Sequence, residues 1–357
     1  WSAYLPTRIG LKANTLTAED RTLHQVVAGG TRDGSQWQAN IDAQELSGYF
    51  AFRPSLNNPP GQLFARLSRL NLPPSSAAEV ETLLETPSAK LPALDIVVDE
   101  LELRGKKLGR IEIEAINTDT PAPYSPNTAE WQLKKFNIQL PEGSLRSTGR
   151  WLAAREGSPL RKTEMNFVLD VNDAGALLTR LGTPDALRNG TGKLEGTVSW
   201  QGSPLSLHYP SMNGHFEVNM GKGQFLKADA GAAKLLGVLS LQALPRRLLL
   251  DFRDVFSDGF AFDSVHGDVT IVHGMASTRN LQIKGVNAVV QLDGSANLAQ
   301  ETQRLRAVIL PVVDAGTASL LAGLALNPMV GLTTFLAQWL LQNPLSQAST
   351  QEFMIDG

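Results

Sequence analysis

The chain has 357 residues and a formal net charge of -3, with 42% hydrophobic and 19% charged residues. This is enough apolar matter for a large core and argues against long disorder, while lysines and arginines scattered singly leave no basic stripe for nucleic acid. There is no cysteine, so neither a disulfide framework nor a thiolate metal site is available, a usage that suits an oxidising compartment.

The sequence opens at Trp1 with no basic segment or apolar signal core, so it reads as a piece of a longer protein anchored elsewhere. No uninterrupted run reaches the roughly 20 apolar residues of a membrane-spanning helix. Most of the chain instead alternates with period two in short runs separated by Gly, Asn, Asp, Pro or Ser, the pattern of strands joined by turns.

In the first predicted segment, residues 1–90, Trp37, Ala39, Ile41 and Ala43 share one face. Gly48 marks a break before Phe50 and Phe52, and Leu63, Ala65, Leu67 and Leu70 follow. Pro73 and Pro74 introduce a short helical or irregular stretch, Ala77 to Leu84, and the Pro87 to Pro92 linker marks a boundary. The second segment, 91–228, resumes with Leu94, Ile96 and Val98, then Leu101 and Leu103, a turn at Arg104 to Lys107, and Ile111 and Ile113 against Glu112 and Glu114. This predicts a hairpin with one wet and one dry face. Further hairpin material runs through Trp131 to Leu140, Ser144 to Ala153 and Thr163 to Val171.

Asp173-Ala174-Gly175 recurs as Asp229-Ala230-Gly231 and Asp314-Ala315-Gly316, each followed by a leucine pair. An aspartate accepting a hydrogen bond from the first helical turn predicts a helix at each repeat, near 173–182, over 229–240 and from 314. In the third segment, 229–357, Leu248, Leu250 and Phe252 alternate with polar neighbours. They are followed by Val269 and Ile271, Leu281 and Ile283, Val290 and Leu292, then Leu305 and Ile309. These read as consecutive antiparallel strands with a shared apolar face. Three short helices are too few to cover it. Either the sheet closes into a barrel or sandwich, or the face stays open as an apolar surface that needs a ligand.

From Ala315 to Gln351 there is no charged residue. Asn327-Pro328 divides this tail into a predicted helical hairpin, 314–343. Leu332, Phe335, Leu336, Trp339 and Leu340 share a face of its second helix. The hairpin either plugs the end of the sheet or lies at a membrane interface with Trp339 at headgroup level.

Catalytic patterns are missing. His24, His208, His215, His266 and His273 show no zinc spacing, although the last four leave a two-histidine site geometrically open. No nucleophile elbow, phosphate loop or dinucleotide fingerprint occurs. Asp251, Arg253, Asp254, Asp258 and Asp263 suit a salt-bridge and turn network with Arg246 and Arg247 better than a pair of glycosidase carboxylates. The expectation is a protein that is not an enzyme, with no catalytic residue, cofactor or metal.

The string LLGVLSLQALPRRLLLDFRDVFSDGFAFDSVHGDV, Leu235 to Val269, resembles the C-terminal region of the YhdP family of AsmA-like proteins. The likeness continues upstream through Asp173 to Leu205 and downstream through Asn327 to Leu345 and Gln351 to Gly357, and is looser over 1–90. The resemblance implies a mainly β fold: a long curved antiparallel sheet forming an open taco-like apolar groove, of which 1–90, 91–228 and 229–357 are the N-terminal, middle and C-terminal segments, with a few short helices and the C-terminal helical hairpin. It implies a segment of a bridge-like lipid transporter in the periplasm of a Gram-negative bacterium, the parent chain being anchored in the inner membrane by an N-terminal helix. Phospholipid is the implied cargo, and the outer membrane the partner at the C-terminal end. The groove residues would be Leu248, Leu250, Phe252, Val269, Ile271, Leu281, Ile283, Val290, Leu292, Leu305 and Ile309, with Leu332, Phe335, Leu336, Trp339 and Leu340 at the membrane or groove end. The alternative is a structural or assembly module that engages outer-membrane or periplasmic proteins through strand edges.

Overall fold

The computed structural model describes residues 7–18, 21–55, 61–73, 92–118, 130–152, 161–202, 204, 207–226, 260–285, 288–311 and 351–356. The chain divides into two compact units. One takes in Trp1–Leu140, Ser144–Met165 and Gln201–Ser206, the other Pro141–Gly143, Asn166–Trp200 and Leu207–Gly357.

The first unit is built on strands β1 (Arg8–Ala18), β2 (Arg21–Asp33), β3 (Gln36–Asp42), β4 (Leu46–Arg53), β5 (Gln62–Leu72), β6 (Ala93–Leu103), β7 (Lys106–Thr118) and β8 (Glu130–Leu140). β9 (Gly143–Leu152) and the first residues of β10 (Lys162–Val171) complete it. Neighbours in sequence pair antiparallel from β1 to β5 and from β6 to β8. The β6–β7 turn explains itself locally: Arg104 and Gly105 both hold positive φ (53° and 77°), which matches the right-handed twist of a two-residue hairpin.

One pair departs from the expected antiparallel order. β5 and β6 run parallel, with Leu63 opposite Leu94 and Leu67 opposite Val98. Parallel neighbours need a crossover of a dozen or more residues, and the 20 residues from 73 to 92 between them are enough for one. Both strands carry the same apolar alternation, which sequence reads equally well in either direction.

In the second unit, β12 (Gly192–Gln201), β13 (Asn213–Met220), β15 (Phe260–Val272), β16 (Met275–Gly285), β17 (Ala288–Asn297), β18 (Thr302–Pro311) and β19 (Gln351–Asp356) form an antiparallel ladder. The short strands β11 (Leu187–Asn189) and β14 (Gly223–Phe225) pair beside it. Helix α1 (Ala174–Arg180) begins where the Asp-Ala-Gly repeat predicts, with Asp173 accepting from Ala176 N at 3.0 Å. Arg180 at its last turn grips Glu142 through two bonds, Nε to Oε2 at 2.8 Å and Nη2 to Oε1 at 2.6 Å. The predicted helices at 229–240 and 314–343, and the stretch 77–84, lie outside the described residues.

Among the described residues of the first unit, the strands from β1 to β8 pair neighbour to neighbour and none of the pairings closes β1 onto β8. No described helix is long and apolar enough to cross a membrane.

Candidate functional site

Strand register decides which side chains share a surface, because directly opposed residues point the same way and alternate residues point oppositely. In the first unit one row runs Ala28, Ile41, Gly48, Leu67, Val98, Ile111, Ile138 from β2 to β8. The next runs Gly30, Ala39, Phe50, Ala65, Ile96, Ile113, Phe136, and a third passes through Trp37, Phe52, Leu63, Leu94 and Ala115 to Leu133. β1 adds Ile9 and Leu11, which are 45% and 37% exposed. This face is therefore apolar from strand to strand, and many of its side chains, Phe50, Phe52, Leu63, Leu94 and Ile96 among them, are only half-buried.

Two irregularities keep these rows in phase. Gly48 holds φ +143° at a register shift between β4 and β5, where a Cβ would meet the Arg66 carbonyl oxygen. A second shift falls at Glu114/Ala115 in β7. Without such a bulge the residues beyond it would turn to the opposite face.

The opposite face is charged. Arg66 binds Asp95 at 2.7 Å and lies 4.0 Å from the Phe64 ring. Arg110 bonds Asp99 and, at 3.0 Å, Glu112, which also faces Lys135 at 3.6 Å. The hydrogen bond from Arg110, helped by Lys135, holds the Glu112 carboxyl below its ordinary range against an opposing desolvation. Exposed pairs of this kind add little stability, but a row of them fixes which face meets water.

In the second unit the predicted groove residues can be placed one by one. Val269 opposes Phe216 on β13, and Ile271 opposes Gly214. Leu281 opposes Leu292, itself opposite Ala307, while Ile283, Val290 and Ile309 form one row with Val265. Leu305 lies opposite Gly294. A bulge in β16 between Thr278 and Leu281 supplies the residue that keeps Ile271, Leu281 and Ile283 on one side. Asn280 stabilises it, accepting from Asp268 N at 2.9 Å and donating to Asp268 Oδ2 at 2.6 Å. The structure thus brings Val269, Ile271, Leu281, Ile283, Val290, Leu292, Leu305 and Ile309 onto a single face. Leu248, Leu250 and Phe252, and the tail residues Leu332, Phe335, Leu336, Trp339 and Leu340, lie outside the described residues.

This second face differs from the first in cover. Ile271, Ile283, Val290, Leu292 and Leu305 are buried, while Val269, Leu281 and Ile309 are half-buried. On β17 the reverse side is buried too, with Val289 at 0% exposure beside Val290 at 1%. The alternation expected of a strand with one wet face fails at that point.

Sequence reasoning read 1–90 and 91–228 as groove segments but named individual site residues only from Leu248 onward, and so none in the first unit, where the apolar rows are as continuous and more exposed. The signal was present in the alternation of β3 to β7. It needed the register, including the parallel pair, to show that those runs form one surface.

His24 Nδ1 bonds Glu45 Oε1 at 2.6 Å, His208 Nδ1 bonds Ser211 Oγ at 2.8 Å, and His215 Nε2 lies 3.8 Å from Asp268. Among the described residues no group of three His, Asp or Glu is placed to hold a metal ion. Asp251, Arg253, Asp254 and Asp258 lie outside the described residues.

No solved structure matches the chain. A relative from Escherichia coli (strain K12), named as the intermembrane phospholipid transporter YhdP, is 26% identical over 349 residues, covering 95% of this chain and 24% of the relative. The chain therefore spans about a quarter of that relative's length. The family model described as YhdP protein matches residues 2–357, which takes in both units and the loosely resembling first 90 residues. With the whole length matched, the chain belongs to the YhdP family.

Proposed function

We propose that this chain is a periplasmic segment of a bridge-like lipid transporter, and that its apolar sheet faces shield phospholipid acyl chains on the way between inner and outer membrane. The observation that carries this reading is the first unit's apolar face, continuous over the strands from β1 to β8 and partly open: Phe50, Phe52, Leu63 and Ile96 are half-buried and Ile9 and Leu11 exposed, while Ala65, Leu67, Val98, Ile111 and Ala115 are buried. Monomeric proteins rarely leave an apolar surface of that extent to water without a partner for it. The relative named as a phospholipid transporter supplies the ligand class. Moving an acyl chain of about 16 carbons into water costs on the order of 12 kcal/mol, at ~0.8 kcal/mol per methylene, so an apolar lining removes most of the barrier to transfer. Because lining and bilayer are similarly apolar, lipid gains little at any one position, as a conduit requires.

The test is lipid captured by the purified chain and identified by mass spectrometry. Ile96 sits in the apolar row between Ala65 and Ile113, whereas Val97 faces the charged side between Arg66 and Glu112. Ile96→Asp is expected to reduce captured phospholipid about tenfold or more, and Val97→Asp to leave it near the parent level, both with unchanged circular dichroism. Equal capture by the two variants contradicts the reading. Capture of outer-membrane proteins with no lipid would replace it with the assembly module.

A further inference from the structure

On β17 the two sides of the sheet are buried together, Val289 at 0% exposure and Val290 at 1%. A side chain on a sheet face is sealed by a second layer rather than by its lateral neighbours, and Val27 shows the difference. It stands on β2 between two paired strands, opposite Lys12 and Asp42, and is 52% exposed. Val289 also stands between two paired strands, opposite Lys284 and Leu310, so a layer lies over it. Curvature turns only one face of a sheet toward its own strands, and the reverse face needs a separate cover. Among the described elements the one α-helix, α1, packs on β11.

The cover on this reverse face has a centre. Val289, Gln291 and Val308 on β17 and β18 are buried, whereas Ser264, His266, Gln282 and Lys284 on β15 and β16 are half-buried. Further along the strands the same face opens, with Ser277, Arg304 and Met354 exposed. Two long stretches of chain leave the sheet at the covered end, which Gly285, Ala288 and Pro311 mark on β16, β17 and β18. Residues 227–259 run from β14 to β15, where Phe225 faces Phe260, and residues 312–350 run from β18 to β19, where Ile309 faces Gln351. Burial is deepest beside the second stretch and fades toward the first. Chemistry agrees: Ala315 to Gln351 holds no charged residue, whereas 227–259 holds nine, and a charge pressed onto Val289 and Val308 would lose its water. Leu332, Phe335, Leu336, Trp339 and Leu340 supply the apolar side that such a surface needs. The covered band, Ala288 to Leu292, is roughly 13 Å deep at ~3.3 Å per residue, close to the width of one helix with its side chains, roughly 10–12 Å.

We propose that the reverse face of β17 and β18 around Val289, Gln291 and Val308 is the docking surface for the uncharged segment 315–350 of the same chain. The segment then lies on the opposite side of the sheet from the apolar row Val265, Ile283, Val290 and Ile309, and does not compete with a lipid for that row. The assignment does not depend on the lipid reading.

The chain has no cysteine, so a single introduced one reports on the cover. In the whole chain, Val289→Cys is expected to react with a maleimide about tenfold or more slowly than Val27→Cys, because labelling waits for local opening. Leu336→Asp with Leu340→Asp should speed labelling at 289 about tenfold or more, and Leu248→Asp with Leu250→Asp should leave it slow. A diazirine side chain of leucine's size in place of Val289 names the occupant without altering the tail: its adduct is expected in the peptide spanning 315–350, with or without phospholipid vesicles. An adduct in 227–259, an adduct to vesicle lipid, or none in the tail overturns the assignment. Labelling at 289 as fast as at 27 overturns it too, as does labelling that stays slow in the altered tail.

Discussion

At the scale of single residues, glycine and bulge positions hold the faces in phase. Gly48 takes a φ that side chains rarely adopt, and a Cβ there would press on the Arg66 carbonyl. Gly29, in contrast, lies in ordinary extended backbone, with nothing within 4 Å of its would-be Cβ. Gly48→Ala is expected to destabilise the chain by about 1–3 kcal/mol or more, read as a lower denaturation midpoint, whereas Gly29→Ala should be neutral or stabilising by up to about 1 kcal/mol. The break at Gly48 was visible in the sequence as an interruption between Ala43 and Phe50. That it is a bulge preserving the row, rather than an end to the strand, depends on Leu67 and Arg69 across the ladder and is not written locally.

Elements were legible wherever a local signal sufficed. Asp173 announced α1, and Arg104-Gly105 announced a hairpin. What local signals missed were relations between elements: the parallel β5–β6 pair, and the burial of both sides of β17. An apolar run such as Ala288 to Leu292 does not say how many of its sides are covered. The clamp between Glu142 and Arg180 joins the β8–β9 turn to α1 in the same way, through residues far apart in sequence. The hydrogen bonds from Arg180 outweigh desolvation and lower the Glu142 carboxyl below its ordinary value. Since the folded value lies below the unfolded one, this pair's stabilisation is fully present above the usual carboxylate range and is lost as pH falls through the lowered value. Glu164, held down first by Lys162 and then by Arg150, acts with the same sign. Acid unfolding monitored by circular dichroism should therefore show stability falling below pH ~4.3, and Glu142→Gln should flatten that acid limb while lowering stability at neutral pH.

For the whole molecule, composition showed no basic stripe and the period pointed to sheet, while alternation taken alone favoured a closed core over an open face. Register showed that in the first unit the apolar rows run across successive strands with charged residues on the other side, whereas at β17 of the second unit both sides are buried. Membership of the YhdP family, over residues 2–357, makes phospholipid the ligand to test against those rows. The most direct measurement places a photo-crosslinking side chain at each position from Leu94 to Val98 in turn, in the presence of phospholipid vesicles. Lipid adducts are expected at Leu94, Ile96 and Val98, which share the apolar face, and not at Asp95 or Val97. Adducts that fail to follow the alternation, or none at any position, would contradict an acyl-chain-bearing face.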